Sequence, residues 1–410
     1  MLIKIKRSLG QYYWMKKQII SIFLFLLLIC IPLISWLFWY GQEDKEMNVM
    51  IVDKTVLNTN VQEHISLNWI LNNERILKPN GEFYNSEIDY FGFFPDDKGG
   101  YEINDFNDYQ EYQLDSLVDS YDMLYYTDSY GIYVAEWWDA YPEIAPKDYK
   151  KVPPMERSRH IYGKLTSSEL YVLKGMKEQK KLIMTEFNII ASPTDESNRK
   201  EFEEMFSMEW STWVGRYFDI LDTAVNKELP GWVKRNYVAQ YGEWPFEQSG
   251  IIFVRNDDRL VILENGKQLE NEVPHIHTSE KYCEEYDLPE VMKYPFWFDI
   301  CYSCDPNVVI SDYHLTVNRE GDSILNHFNI PTVFPAIIKG EGDYPFYYFA
   351  GDFSDNPIGL GTSKFLKSSW GSSFSYSNVP QERVSFFWDF YRPLTTKIIN
   401  DYYSKIQNDE

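Results

Sequence analysis

The longest uninterrupted apolar segment lies near the start of the chain. Residues 19–40 contain no charged side chain; five bases precede them, and Glu43, Asp44 and Glu46 follow. At about 1.5 Å per residue, a helix of this length crosses the roughly 30 Å hydrocarbon core of a bilayer. Basic flanks stay on the cytoplasmic side of a membrane. We therefore predict a cytoplasmic basic tail (1–18), a transmembrane helix (19–40) and an extracytoplasmic remainder.

A cleaved signal peptide is the alternative interpretation of this segment. Its apolar region would be shorter, about 7–15 residues, and a small-residue cleavage site would follow it. The segment is longer than that and no such site follows it. A lipoprotein signal at Cys30 fits poorly, because Ile29 precedes it and the apolar run continues beyond it. We expect an uncleaved single-pass anchor in the plasma membrane.

Behind the anchor, apolar strands and amphipathic helices alternate four times. The predicted strands are 49–53, 88–94, 121–127 and 181–188. The predicted helices are 64–72, 109–120, 167–179 and 195–206. This alternation is typical of a mostly parallel sheet with helices on both faces. It predicts an α/β domain over residues 47–249, with any ligand at the carboxyl ends of the strands.

From residue 250 the pattern changes to short apolar runs separated by turns. The predicted strands there are 251–255, 260–264, 296–302 and 308–317, so we interpret 250–330 as a β-rich insertion. Residues 331–410 then return to the α/β domain. They contain two further predicted strands, 332–338 and 346–350, and a closing aromatic-rich helix, 381–406.

Composition narrows the range of partners. The chain has 410 residues and a net charge of −23; without the five bases of its first 41 residues, the remainder has 34 bases against 62 acids. Such a surface argues against nucleic acid, which needs a basic footprint. Aromatic residues make up 17% of the chain. Tyr and Trp combine a flat apolar face with a polar tip, which suits interfaces and sugar-like ligands.

The order of elements and the segment 181–194 (KLIMTEFNIIASPT) resemble the class I glutamine amidotransferase-like group. The resemblance covers about 47–245 and 332–352 and implies a flavodoxin-like parallel sheet. In that family a nucleophilic Cys lies in a sharp turn after a strand. No Cys occurs between residues 31 and 282 here, so we expect a divergent member without glutaminase activity. The chain as a whole resembles a bacterial membrane-anchored envelope protein.

Polar and acidic side chains follow several of the predicted strands. Acids, hydroxyls and aromatic rings at strand carboxyl ends commonly line a ligand cleft, and a carbohydrate would suit them. The candidate ligand-binding residues are Asp53, Asp128, Tyr130, Glu136, Glu186, Asn188 and Asp352.

These residues also have other interpretations. Asp128 and Glu136 could serve glycoside hydrolysis, which needs two carboxylates about 5–10 Å apart. The loop that carries Glu136, Trp137 and Trp138 could instead simply pack over the sheet. After the fourth strand, Ser192 and Thr194 could bind an anion or act as nucleophiles, although capping of the next helix is the commoner role. His64 at a helix start is more often a structural donor than a catalyst.

Two further groups of charged residues suggest ligands. Asp352 and Asp355 could hold Ca²⁺ together with backbone carbonyls, although an Asp-capped turn explains the same pattern. Arg157, Arg159 and Arg216 could clamp an acidic group, although surface ion pairs are commoner.

The extracytoplasmic cysteines cluster in one stretch. Cys283, Cys301 and Cys304 lie close to His277, and three Cys with one His is a known structural zinc set. One disulfide and one spare thiol is the alternative in an oxidising compartment. Zinc is therefore a possible structural cofactor.

Location, acidity and aromatic content together suggest a function in the cell envelope. We expect an anchored extracytoplasmic protein that binds or handles envelope polysaccharide without catalysis. A carboxylate-dependent hydrolase of envelope glycans and a scaffold for another envelope protein are the alternatives.

Overall fold

The computed structural model describes residues 2–58, 63–270, 273–366 and 376–409. Helix α1 (Leu2–Tyr40) contains the apolar segment. Within the described ranges, Trp14–Tyr40 is the part long and apolar enough to cross a membrane, and a signal sequence would share both properties. The helix begins well before the predicted residue 19.

The described remainder is an α/β fold. Its helices are α2 (Ile65–Asn73), α3 (Glu111–Ser120), α4 (Val134–Ala140), α5 (Ser167–Glu178), α6 (Glu196–Phe206), α7 (Gly231–Tyr241), α8 (Glu280–Tyr286), α9 (Arg319–His327), α10 (Val384–Phe386) and α11 (Arg392–Asp409). A π-helical turn (Phe387–Tyr391) joins the last two, and a 3₁₀ helix covers Leu360–Lys364. The predicted helix over 167–179 is confirmed, and its N-cap, Thr166, accepts a hydrogen bond from the Glu169 amide.

The strands of the first half are β1 (Lys45–Glu46), β2 (Val49–Asp53), β3 (Ile76–Leu77), β4 (Phe91–Pro95), β5 (Tyr101–Asn104), β6 (Met123–Tyr126), β7 (Ile132–Tyr133), β8 (His160–Tyr162) and β9 (Leu182–Thr185). Those of the second half are β10 (Met208–Phe218), β11 (Gly250–Arg255), β12 (Leu260–Glu264), β13 (His275–Thr278), β14 (Val291–Lys293), β15 (Trp297–Ser303), β16 (Val308–His314), β17 (Val333–Lys339) and β18 (Phe346–Phe349).

The main sheet has ten strands in the order β14-β13-β16-β17-β18-β9-β6-β2-β4-β5. Its five central strands, from β18 to β4, are parallel, whereas the pairings outside them are antiparallel. The expected mostly parallel sheet is therefore corrected to a mixed sheet. Strands β2, β6, β9 and β18 are buried along their whole length, which is why they have continuous apolar sequences rather than alternating ones.

A second sheet of four antiparallel strands has the order β12-β11-β10-β15. The strands within 250–330 divide between the two sheets: β11, β12 and β15 lie in the smaller sheet, while β13, β14 and β16 extend the main one. The smaller sheet also takes in β10, which begins at Met208, before that stretch. Neighbours along the chain in this stretch therefore belong to different sheets.

The end of α1 packs against the α/β domain. Trp39 is 4% exposed, and its indole Nε1 donates to the carbonyl oxygens of Asn72 (3.2 Å) and Asn73 (3.1 Å) at the end of α2. The guanidinium of Arg75 lies 4.8 Å from the Trp39 ring. Directly after α1, β1 pairs with β3. The apolar helix thus leads into the domain without a free stalk.

Candidate functional site

The main sheet brings the ends of its central parallel strands to one edge. A row of cross-strand partners runs over β2, β6, β9 and β18, formed by Val52, Tyr126, Thr185 and Tyr348. Because these strands are parallel, the residues after this row leave the sheet on the same side. They include five of the candidates: Asp53, Asp128, Glu186, Asn188 and Asp352.

Asp53 ties the end of β2 to the start of α2. Its carboxylate lies 2.7 Å from His64 Nδ1, and both side chains are fully buried. The other ring nitrogen, Nε2, lies 2.8 Å from the Ser86 carbonyl oxygen. A carbonyl only accepts, so Nε2 is the donor to Ser86. Asp53 also accepts from the amides of Thr55 and Glu63, so this pair is a structural connection.

Asp128 is held by two donors from the neighbouring loops. Its Oδ1 accepts from the Tyr130 amide at 2.7 Å and from Asn188 Nδ2 at 3.2 Å. Burial raises the pKa of Asp128 to about 7, and the Asp53 charge adds to this rise against the effect of the hydrogen bonds. The Asn188 amide in turn donates to Asp299 Oδ2 at 2.8 Å, so β15 contributes a buried acid as well.

Glu186 sits in a network of hydroxyl groups. It accepts from the Tyr125 hydroxyl, which is 2.7 Å from that of Tyr391, and from Ser354 through both Oγ (2.8 Å) and N (3.1 Å). Burial raises the pKa of Glu186 to about 8, against these hydrogen bonds. Glu186 is therefore a buried part of this hydrogen-bonded network rather than a group exposed to solvent.

Glu63, Asp352 and Asp355 form the part of the cluster nearest the surface, which we call the acidic trio. One carboxylate oxygen from each lies within 4.8 Å of the others. Arg383 pairs with Asp355 at 3.0 Å. Burial, and then the neighbouring carboxylates, raise the pKa values of Glu63 and Asp352 well above their usual range. Arg383 is thus the one base in this part of the described cluster that pairs with any of the three carboxyl groups.

Two arginines and an aromatic ring border the acidic trio. The guanidinium carbons of Arg383 and Arg216 lie 3.7 Å and 4.5 Å from the centre of the Phe296 ring. Arg216 also pairs with Glu228 at 3.0 Å, and burial lowers the pKa of Arg216 against the opposing charges of Glu228, Asp352 and Asp355. Phe296 and the adjacent Trp297 are partly exposed. This combination of cations, acids and partly exposed aromatic rings marks the accessible side of the cluster.

The depth of the candidates differs from the sequence-based expectation. Asp53, Glu186, Asn188, Asp128 and Asp352 are between 0% and 8% exposed, so they lie beneath the surface and do not line an open cleft. The neighbouring loops contact two of them: the Glu63 amide donates to Asp53, and Ser354 donates to Glu186. Two surface depressions, of about 370 and 460 Å³, lie elsewhere, beside residues 339–347 and beside α7.

Tyr130 and Glu136 belong to a neighbouring group. The Tyr130 hydroxyl donates to Glu136 at 2.8 Å, and burial raises the pKa of Glu136 to about 7. Arg157 lies beside this group, making two hydrogen bonds from Nε to Asp258 (2.9 and 3.1 Å) and one from Nη1 to Ser192 Oγ (2.8 Å). Tyr130 connects this group to Asp128, because its amide donates to Asp128 and its hydroxyl donates to Glu136.

Trp137 and Thr194, two other residues singled out from the sequence, have structural roles. Trp137 is 2% exposed and packs on Phe93 and Tyr101, so it belongs to a core cluster. Thr194 Oγ1 donates to the Ile189 carbonyl and accepts from the Leu165 amide, so it braces the turn after β9 and does not cap α6. The predicted capping role of Thr194 was therefore wrong.

The proposed zinc set does not assemble. Cys301 is buried in β15 of the smaller sheet and Cys304 is exposed just beyond it, whereas His277 lies in β13 of the main sheet and Cys283 in α8. His277 packs against His314 with 4.0 Å between the ring centres, and Cys283 Sγ donates to the Thr278 carbonyl. All three cysteines are free thiols, so the disulfide alternative is not formed either. The zinc prediction relied on nearness in sequence, but these residues lie in two different sheets and in α8.

The structure adds residues that the sequence patterns did not identify as site residues: Glu63, Asp299, Arg383, Tyr294 and Tyr313. Only Glu63 had a local signal, as an acid beside His64 at a predicted helix start. Asp299 and the two tyrosines lie in apolar stretches whose pattern predicts only buried core. Arg383 is distant in sequence from the acids that it approaches.

No protein-family model matches this sequence, and no curated protein is significantly similar to it. Among solved structures, a ThuA-like protein from Parabacteroides merdae is distantly similar. The TM-score is 0.32 at 10% identity, and the alignment covers 75% of this chain and 79% of that one. The resemblance to the class I glutamine amidotransferase-like group therefore stays a prediction.

Proposed function

We propose that this chain is a single-pass plasma-membrane protein whose extracytoplasmic domain binds cell-envelope polysaccharide without cleaving it. The observation that carries the proposal is the pair of guanidinium groups, Arg216 and Arg383, beside the partly exposed rings of Phe296 and Trp297 and next to the acidic trio. Carboxylates accept from sugar hydroxyls, guanidinium groups donate to them, and an aromatic face packs against a sugar ring.

Binding is preferred to hydrolysis because the deeper acids are already engaged. Asp128 accepts from Tyr130 and Asn188, and Glu186 accepts from Tyr125 and Ser354. A general acid or nucleophile must reach the substrate. The residues left to meet a ligand are the partly exposed ones at the rim.

The binding test uses the full chain in lipid nanodiscs and an array of purified bacterial envelope polysaccharides. Phe296→Ala and Arg216→Gln should each weaken binding by about tenfold, the equivalent of roughly 1.4 kcal/mol. Tyr112→Ala, an aromatic truncation at a 72% exposed position of α3, is the matched control and should leave binding unchanged. An equal loss in all three variants would contradict the proposed surface.

The same samples separate the alternatives. If the protein releases new reducing ends from a bound polysaccharide, it is a hydrolase and the proposal of binding without cleavage is wrong. Absence of binding across the array, together with copurification of a stoichiometric envelope protein, would favour a scaffold.

The orientation follows from charge and is tested separately. Lys4, Lys6, Arg7, Lys16 and Lys17 precede the apolar segment, whereas acids follow it, which supports a cytoplasmic N-terminus. Protease added to intact spheroplasts should digest residues 42–410. Protection of that part of the chain would overturn the orientation.

A further inference from the structure

We propose that the acidic trio of Glu63, Asp352 and Asp355 is a binding site for one hard divalent cation of the Ca²⁺ type. This inference concerns the cation alone and does not depend on polysaccharide binding. It concerns a place where three separate observations meet: the spacing of the carboxylates, the balance of charge and a set of buried polar atoms without partners.

The spacing of the trio suits calcium. Ca²⁺ binds oxygen ligands at about 2.3–2.6 Å, so two ligands on opposite sides of the ion are about 4.6–5.2 Å apart and others are closer. The three carboxylate oxygens all lie within 4.8 Å of one another, which is within the span of one Ca²⁺ coordination shell. Mg²⁺ has shorter bonds of about 2.0–2.1 Å and demands a smaller, near-ideal octahedral arrangement. In the described ranges no other group of His, Cys, Asp and Glu meets this spacing.

The charge balance also favours a cation. The trio has three carboxyl groups, and one of them, Asp355, is paired with a base, Arg383, at 3.0 Å. Asp53 adds a further carboxylate beside the trio, because it accepts a 3.0 Å hydrogen bond from the Glu63 amide. Acids crowded in this way must either take up protons or share a cation. Carboxylate oxygens without nitrogen or sulfur donors select the hard ions over zinc.

Buried polar atoms without partners point to the same place. The Tyr294 hydroxyl is in a residue that is 1% exposed, has no hydrogen-bond partner among the described residues, and interacts electrostatically with Asp352 and Arg383. Within the same ranges, the fully buried Tyr313 hydroxyl and Glu63 Oε2 are also without partners. A Cβ atom on Gly351 would lie 2.4 Å from the Tyr313 hydroxyl oxygen, which places this group beside the backbone that leads into Asp352.

Unpartnered buried polar groups cost about 1–3 kcal/mol each, so native structures rarely leave several together. A bound Ca²⁺ takes Glu63 Oε2 as a ligand and keeps water molecules in its remaining positions. Those waters are donors and acceptors that the Tyr294 and Tyr313 hydroxyls can use. The cation therefore accounts for the carboxylate spacing and for the orphaned oxygens at once.

The experiment measures Ca²⁺ binding to the full chain in nanodiscs after removal of metals with a chelator. Isothermal titration should find one Ca²⁺ per chain, and Mg²⁺ should bind at least about tenfold more weakly. Glu63→Gln and Asp352→Asn should each weaken Ca²⁺ binding by more than about tenfold, because each removes a charged ligand. Glu102→Gln and Asp108→Asn, matched changes at exposed acids in and just beyond β5, should leave it unchanged.

A variant with the opposite sign separates a cation site from a merely structural cluster. Arg383→Gln removes the base that competes for Asp355, so Ca²⁺ should bind severalfold more tightly. Unfolding of the unmodified protein supplies a measurement that needs no variant: the melting temperature should rise on changing from chelator to about 5 mM Ca²⁺, by mass action. The proposal is overturned if the melting temperature stays the same and titration shows no binding. Equal effects of Glu63→Gln and Glu102→Gln would overturn it as well.

Discussion

The backbone amide of Asn188 donates a 2.8 Å hydrogen bond to Asp299, and this bond links the main sheet to the smaller one. Asn188 follows β9 of the main sheet, whereas Asp299 lies in β15 of the smaller sheet. The Asn188 side chain continues the connection to Asp128 at 3.2 Å. The backbone here has a φ of 67°, in the left-handed region that Asn tolerates better than most residues. One residue therefore connects two sheets and two buried acids.

Substitutions at Asn188 should separate the two contributions. Asn188→Ala loses the bond to Asp128 and also loses the tolerance of Asn for positive φ, so the free energy of unfolding should fall by about 2–3 kcal/mol. Asn188→Gly loses the same bond but accepts the backbone conformation, and should be about 1 kcal/mol less damaging. Urea unfolding of both variants tests this difference. A glycine variant no more stable than the alanine variant would show that backbone conformation contributes little.

The buried acids predict a stability that declines as pH rises. The pKa values of Glu186 and Asp299 are raised by burial to about 8 and about 7, whereas an unfolded chain ionises these groups near pH 4. Their favourable contribution is fully present below about pH 4 and is lost as pH rises through the folded pKa values. Each group lowers the free energy of unfolding by up to about 1.4 kcal/mol per pH unit in that window.

Asp299→Asn isolates one of these groups. The amide oxygen can still accept from Asn188 and from Tyr348, but the side chain no longer ionises. Between pH 4 and 7, the free energy of unfolding of the variant should fall less steeply with pH, by the equivalent of about one bound proton. At pH 8 the variant should therefore have gained stability relative to the unmodified protein. Glu102→Gln, at an exposed position, is the control. Parallel curves for Asp299→Asn and the unmodified protein would contradict the raised pKa.

Much of the sheet and part of the cluster follow from local pattern. The central strands could be predicted because burial on both faces requires continuous apolar runs, as in Met123–Tyr126 and Leu182–Thr185. Parallel strands then bring Asp53, Asp128 and Asp352 to one edge. Their depth could not be predicted, because it depends on which distant loops cover the edge. That loop packing also decides that Arg383 meets Asp355, which no spacing in the sequence indicates.

The antiparallel extension was missed for a related reason. Short strands such as His275–Thr278 and Val291–Lys293 have no property that assigns them to one sheet rather than another. Their partners are chosen by packing across many residues. The same choice separates His277 from Cys301, so a cluster that is compact in sequence is divided in space.

A buried ion pair lies under the candidate site. Lys54 is fully buried, pairs with Glu169 and donates to the Lys164 carbonyl at 2.8 Å. Lys54→Met should reduce the free energy of unfolding by about 3–5 kcal/mol, because it leaves Glu169 as an unpaired buried charge. The double variant Lys54→Met/Glu169→Gln should recover part of this loss. Guanidinium unfolding measures both variants; a double variant that is less stable than Lys54→Met would mean that the cost lies in lost packing and not in unpaired charge.

The contact of Trp39 with α2 predicts that the apolar helix and the domain are coupled. The last carbonyls of a helix have no partners within the helix, and the Trp39 indole supplies a donor to those of Asn72 and Asn73. Trp39→Phe keeps an aromatic ring near Arg75 but removes this donor, so the end of α2 should lose about 1 kcal/mol of local stability. Hydrogen exchange of the Glu74 amide, which is bonded to the Ile70 carbonyl at 2.9 Å, should become about fivefold faster.

Trp36→Phe, one turn earlier and 37% exposed, is the matched control and should leave that exchange unchanged. If exchange in α2 is the same in all three proteins, the indole contact does not stabilise the helix end.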